Sequence, residues 1–265
     1  MTSTTTSLAD QRRRQQEHDT AHAEHHRDRQ SMLGPLRGRD ELKSIVDEAS
    51  VRLADASTDD VLAWVADEFG YRTAVACSMA DAVLPDVVSQ HIPWIDTLFL
   101  DTGYHFAETM GTRDAVESTM QLSIVDVTPK RTVAEQDAEF GKDLFSRDPG
   151  LCCEMRKVEP LAETLENYEA WVTGVRREDS WLRAETPLVE WDDKNGMVKI
   201  NPLAAWTFDE LIDYAAEHDV VINPLMNDGY PSIGCAPCTR RVAPGEDPRA
   251  GRWAGLDKTE CGLHG

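Results

Sequence analysis

From Arg39 onward the apolar residues recur at two spacings, and the spacing alternates along the chain. ELKSIVDEASVRLADA reads as an amphipathic helix, and Thr58-Asp59 is placed to cap a second one that turns Val61, Leu62, Val65 and Phe69 inward. TAVAC (73–77), DTLFL (96–100) and LSIVDV (122–127) are short apolar runs of strand length, and AWVTGV (170–175) is a fourth. Helical patterns lie between and after them: DAVLPDVVSQH, with Pro85 tolerable in its first turn, FAETMGTRDAVEST, and WTFDELIDYAAEHDV. The Gly- and Pro-rich stretch from Asn223 to Gly255 reads as loops wrapped onto the domain. Short strands alternating with helices predict an α/β fold, a mostly parallel sheet with helices on both faces.

The pattern also divides the chain. Residues 1–38 are polar and hold four of the eight histidines, His18, His22, His25 and His26. With so few large apolar side chains they predict a disordered arm with solvated histidines. Residues 39–240 predict the α/β domain, and 241–265 a mobile tail. A chain of 265 residues that is 41% hydrophobic can bury one sizeable core. It contains no apolar run near the roughly 18–20 residues of a membrane span, and its start lacks the apolar core of a secretory signal, which predicts a cytoplasmic location.

A net charge of -21 argues against nucleic acid and anionic membranes as partners. The segment from Cys235 to Gly265 departs from that balance: Arg240, Arg241, Arg249, Arg252 and Lys258 leave it at +1, so an anion can bind there. Six cysteines in a reducing compartment read as ligands or nucleophiles rather than disulfides. Oligomeric state is left open.

In an open parallel sheet, ligands bind beyond the carboxyl ends of the strands, where this chain places Ser78-Met79-Ala80-Asp81 and Asp101-Thr102-Gly103. A serine hydroxyl and turn amides can hold a phosphate or ribose, and an Asp-Thr-Gly turn lets the backbone approach a base. Taken alone, Ser78 and Asp81 can equally cap the next helix, and Gly103 can simply make a turn.

The cysteine spacing is more informative. Cys152-Cys153 and Cys235-Ala236-Pro237-Cys238 have 81 residues between them. The second pair suits tetrahedral zinc, whereas adjacent cysteines reach two irons of a cluster more easily than two corners around one ion. The spacing therefore favours a 4Fe-4S cluster, with packing cysteines plus a zinc half-site or a redox pair as the alternative. Cys77, inside a buried strand, needs only a packing role. Cys261 lies four residues from the end, beside Gly262 and near His264, where a thiolate on a movable arm would be activated by nearby cations, with an incidental free thiol as the alternative.

Several segments resemble one family. SMADAVL and FLDTGYHFAET resemble the nucleotide-binding segments of the adenylyl-sulfate and 3′-phosphoadenylyl-sulfate reductases, within the nucleotide α-hydrolase group; Met79 stands where that family usually has a glycine. WVTGVRREDS resembles a segment in which an arginine lies near the nucleotide, with Arg176 and Arg177 as candidates. CCEMRKVEPL and GCAPCTR resemble the cluster-binding segments of the iron-sulfur branch, the assimilatory adenylyl-sulfate reductases, and ECGLH resembles the family's catalytic C-terminal motif. The resemblance covers roughly residues 60 to 265.

It implies a reaction. Cys261 attacks the sulfur of adenylyl sulfate and expels AMP, while Lys157, Arg249, Arg252 and, on tail closure, His264 surround the phosphosulfate. A dithiol such as thioredoxin then releases sulfite from the S-sulfonated cysteine. Because the electrons arrive by thiol exchange, the cluster is expected to keep its redox state, position Lys157 and tune the local field. The rivals are a 3′-phosphoadenylyl-sulfate or dual-specificity reductase and a zinc-stabilised binding module. An ATP-using relative would need an S-G-G-x-D loop, and SMADA lacks both glycines.

Overall fold

The computed structural model describes residues 34–256, 258 and 260–263, together with Arg13, Gln16, Glu17, Thr20 and His22. His264 and three of the arm histidines, His18, His25 and His26, lie outside the described residues. The described elements are α1 (Arg39–Arg52), α2 (Thr58–Glu68), β1 (Thr73–Ala76), α3 (Val83–Ser89), β2 (Asp96–Leu100), α4 (Ala107–Thr119) and β3 (Ser123–Val127). They continue with α5 (Val133–Phe140), α6 (Leu144–Arg147), α7 (Pro149–Cys153), a π-helical segment (Glu154–Val158) and α8 (Glu159–Leu165). The last are β4 (Ala170–Val172), β5 (Val189–Asp192), β6 (Met197–Ile200) and α9 (Phe208–Glu217).

Six strands form one sheet in the order β3-β2-β1-β4-β6-β5. All neighbours run parallel except the edge strand β5, which is antiparallel to β6. Successive strand residues point to opposite faces, and burial follows that period. Val75, Phe99, Val172 and Val198 join the larger core with α1, α2, α3 and α9, whereas Ala74, Leu98, Trp171 and Met197 meet Leu161 and Leu165 of α8 on the other face. Helices therefore cover both faces, as the alternation of patterns predicts.

The β5–β6 hairpin is an element the apolar pattern did not single out. Its signal was present in Asn195-Gly196 between two β-prone runs, with Gly196 at φ 66°. The cap of α2 is Ser57, whose hydroxyl accepts from the Asp60 amide at 3.1 Å, one residue ahead of the Thr58 expected. Capping boxes start α5 at Thr132 and α9 at Thr207.

Residues 34–38, assigned to the polar arm by composition, are tied to the domain. The Arg37 backbone amide and Nε donate to the two carboxylate oxygens of Glu169 at 2.7 and 2.8 Å, and Arg72 donates to the same group at 3.0 Å. The Glu169 side chain is fully buried at the entry to β4. Further up the arm, His22 Nε2 stands 3.2 Å from the Ser123 hydroxyl. Removing a buried ionic partner leaves the others uncompensated, so Glu169→Ala should lower the unfolding free energy by about 3 kcal/mol. An unchanged urea midpoint would show that the two arginines do not depend on it.

Candidate active site

The chain builds β1, β2 and β3 outward in one direction and then returns to place β4 on the other side of β1. Ligands of such sheets sit at this reversal, beyond the strand ends, and a cavity of about 460 Å³ opens there. Ser78 follows β1, Thr102 follows β2 and Arg176 follows β4, and all three line it. Asp101 and Gly103 do not line the cavity; they shape the turn. The Gly103 amide donates to Asp101 Oδ1 at 3.0 Å, and Gly103 has φ 72°. Arg177 also lies outside the lining, its Nε donating to the Thr186 carbonyl at 2.9 Å. Met79 adopts φ 57°, the left-handed conformation a glycine takes without penalty, and its side chain is fully buried. The cost of that backbone, about 1–2 kcal/mol, is offset by the roughly 1.5–3 kcal/mol gained on burying the side chain. Asp81 Oδ1 accepts from the Val83 amide at 3.0 Å in a turn just ahead of α3, whose N-cap is Ala82, and the residue also lines the cavity. Burial raises its carboxyl pKa, and the Val83 amide and Arg176 only partly oppose this.

The four paired cysteines come together in a second, smaller cavity. Asp148 caps α7, with Pro149 in the first turn, and the helix runs directly into the π segment. A π turn inserts one residue into the helical repeat, an arrangement frequent at functional sites. Here Arg156 and Lys157 leave the helix beside the thiols. Arg156, which sequence reasoning passed over, is buried; it donates to the Thr102 carbonyl and to Gln136 Oε1 at 3.1 Å, and its guanidinium lies 5.3 Å from the Tyr104 ring centroid. The same turn holds the second cysteine pair. The Ala236 amide donates to the Tyr104 carbonyl at 2.7 Å, and the Thr102 hydroxyl stands 3.3 Å from Cys235 Sγ.

Burial, and then the neighbouring cysteines, push Cys152 up to about 12 and Cys238 up to about 11; burial also raises Cys153. Without a cation these thiols stay protonated at neutral pH. Four cysteines lining one small cavity, three of them buried and Cys238 half-buried, are a donor set that an iron-sulfur cluster takes as thiolates, so the residues present fit that group. Among the described residues, no set of three or more His, Cys, Asp or Glu side chains is arranged to clasp a metal ion.

Lys157, Arg249, Arg252 and Cys261 all line the larger cavity. Burial and Arg252 pull the Lys157 pKa down, but the surrounding sulfurs of Cys235, Cys261 and Cys153 outweigh them, so the ammonium's pKa is raised. The Arg252 pKa is lowered by burial and by Arg249. Arg252 Nη1 donates to the Ile233 carbonyl at 3.1 Å, whereas its buried Nε has no hydrogen-bond partner among the described residues. Gly234 makes room for this guanidinium, because a Cβ there would collide with it. Clustered cations beside a thiol in one cavity are an arrangement that can hold an anion next to a sulfur able to attack it.

The fold and this site define an α/β protein of the nucleotide α-hydrolase type that handles an anionic nucleotide. The phosphoadenosine phosphosulfate reductase domain matches residues 64–241. The chain is 56% identical over 229 residues to an adenosine 5′-phosphosulfate reductase of Streptomyces coelicolor, spanning 86% of this chain and 97% of that one. It is 55% identical to the enzyme of the same name from Mycolicibacterium smegmatis, spanning 84% and 95%. Matches of this extent place the chain in the adenylyl-sulfate and phosphoadenylyl-sulfate reductase family. Among solved structures, the phosphoadenylyl-sulfate reductase of Candida auris in complex with phosphate superposes with a TM-score of 0.66 at 26% identity, covering 79% of this chain and all of that one. An FMN adenylyltransferase of Candida glabrata, at 12% identity, shares the fold with a TM-score of 0.51, covering 76% of this chain and 74% of that one.

Two glycines separate backbone demand from simple substitution. A Cβ at Gly103 would stand 3.0 Å from Val133 and 3.1 Å from Arg156, on a left-handed backbone, whereas nothing lies within 4 Å of one at Gly111 in α4. Gly103→Ala should cost about 1–2 kcal/mol, and Gly111→Ala should stabilise by up to about 1 kcal/mol. Urea denaturation of both variants checks this, and equal effects would contradict it.

Proposed function

We propose that this chain reduces adenylyl sulfate to sulfite and AMP, with electrons from a dithiol protein of the thioredoxin class, as a step of sulfate assimilation. The observation that carries the reading is the convergence of Lys157, Arg249 and Arg252 with Cys261 on one cavity in a chain of net charge -21. An acidic protein that concentrates cations around a thiol is built for an anionic electrophile. The names borne by its relatives point to the same substrate.

Ser78, Thr102 and Arg176 would bind the nucleotide, placing the phosphosulfate among the three cations. The Cys261 thiolate attacks sulfur, an S–S bond forms, and the bond from sulfur to the phosphate oxygen breaks, with its electron pair leaving on AMP. Lys157, Arg249 and Arg252 stabilise the charge that develops on that oxygen, which is where fixed cations contribute most to rate. A thiolate of the dithiol partner then attacks Cys261 Sγ and expels sulfite. Its second thiol breaks the mixed disulfide, leaving the partner oxidised and Cys261 reduced.

Cys152, Cys153, Cys235 and Cys238 would hold a 4Fe-4S cluster. When bound, it supplies a compact charged centre that takes the four thiols as thiolates and sets the field at Lys157. Lys157 itself binds and orients the anion.

Incubation with sulfur-labelled adenylyl sulfate in the absence of reductant should label the wild-type chain and leave Cys261→Ser unlabelled; label retained by the serine variant would refute the assignment. Elemental analysis of anaerobically purified protein should find about four irons and four acid-labile sulfides per chain. Stoichiometric zinc without sulfide would replace the cluster with a zinc site. Lys157→Ala should lower turnover and alter the cluster signals, and both unchanged would remove the coupling between them.

A further inference from the structure

The residue before the thiol carries an interaction that the reaction above does not use. Glu260 accepts two hydrogen bonds from Arg183, Nε to Oε1 at 3.2 Å and Nη2 to Oε2 at 2.9 Å, a forked pairing. Its Oε2 also accepts from Arg249 Nη2 at 3.2 Å. Arg183 is fixed in turn, because its Nη1 donates at 3.0 Å to Asp179 Oδ2, and Asp179 Oδ1 accepts from Arg176 Nη2 at 2.9 Å. All five side chains line the cavity. The pairs are mostly enclosed, with side-chain exposures of 14% for Arg183, 17% for Arg249 and 27% for Glu260. Charge pairs of this kind are screened far less than surface ones.

The geometry has two consequences. A carboxylate one peptide away from Cys261 that is forked onto a fixed guanidinium sets where the thiol stands. Lys194 Nζ, donating to the Gly262 carbonyl at 2.7 Å, holds the other side of Cys261. The same carboxylate already occupies Arg249, one of the three cations placed around the phosphosulfate. Arg249 meets Glu260 through one bond and Arg183 meets it through two, so an anion competing with Glu260 for Arg249 need not break the fork.

We propose that Glu260 is the positioning residue of the C-terminal tail: forked on Arg183, it holds Cys261 at the cavity, and it acts as an internal anion on Arg249 that the phosphosulfate displaces. The inference rests on the function proposed above and adds two residues, Glu260 and Arg183, that need not touch the substrate.

The test uses the full-length holoprotein and compares wild type with Glu260→Gln, Glu260→Asp and Arg183→Met. Three quantities are read: the single-turnover rate of label transfer from adenylyl sulfate, the dissociation constant of AMP, and the rate at which iodoacetamide alkylates Cys261, followed by peptide mapping. Glu260→Gln and Arg183→Met should slow transfer by roughly 10- to 100-fold, the scale of a small misplacement of a reacting group. AMP should bind Glu260→Gln as tightly as wild type or up to roughly tenfold more tightly, a change equal to the loss of one competing ion pair. Alkylation of Cys261 should accelerate in both, and Glu260→Asp should recover part of the transfer rate. Transfer within twofold of wild type in both charge-removing variants would overturn the proposal, as would AMP affinity falling in parallel with rate. If the wild-type chain takes up no label, the proposed function fails instead, and the alkylation rates still decide whether Glu260 and Arg183 hold the tail.

Discussion

The buried guanidinium of Arg156 is the contact on which both halves of the site depend. It leaves the π segment immediately after Cys152-Cys153 and donates to the Thr102 carbonyl, in the turn that follows β2. That turn also receives the Ala236 amide on the Tyr104 carbonyl and faces Cys235 through the Thr102 hydroxyl. Two segments far apart in sequence thus meet at Thr102–Tyr104. A buried guanidinium has to satisfy its donors, and Arg156 does so on Thr102, Gln136 and the Arg131 carbonyl. Bringing the cysteine pairs together and placing the nucleotide end of β2 are therefore one event. Gly103 belongs to the same constraint, since a side chain there would press on Arg156.

Around this anchor the chain concentrates positive charge that its composition opposes. Lys157 follows Arg156 on the same π segment, and Arg252 lines the same cavity with an Nε that has no partner among the described residues. Holding such cations without a ligand is unfavourable, because burial lowers the Arg252 pKa and works against that of Lys157. In the proposed reaction that cost is recovered when a phosphosulfate enters and its leaving oxygen gains charge. Preorganised charge of this kind contributes to rate because it needs no rearrangement during the reaction. Glu260, paired with Arg183 and Arg249, supplies negative charge beside this cluster of cations.

The sheet was legible where local pattern determines it. The runs at 73–77, 96–100 and 122–127 became β1, β2 and β3 with ends shifted by no more than one residue, and the run at 170–175 became the shorter β4. The β5–β6 hairpin escaped because its strands are mixed in polarity, with Lys199 and Glu190 paired at 3.0 Å across it. Ser78, Thr102, Arg176, Lys157, Arg249, Arg252 and Cys261 came to one cavity, and the four paired cysteines to another, from spacing and family resemblance together. Arg156, Arg183 and Glu260 were not legible. Their partners lie 54 and 77 residues away for the bonds that matter, and a single arginine or glutamate in sequence carries no sign of burial or of a distant partner. Met79 shows the converse limit: a position that favours glycine was filled by a residue whose burial compensates its backbone.

The central claim is that this cavity delivers Cys261 to the sulfur of adenylyl sulfate. The most direct measurement is sulfite release by anaerobically purified full-length protein with thioredoxin and its reductant, with adenylyl sulfate and its 3′-phosphorylated form supplied in parallel. The account requires sulfite from adenylyl sulfate, dependent on the dithiol. Release from the 3′-phosphorylated nucleotide alone, or from neither, would contradict it.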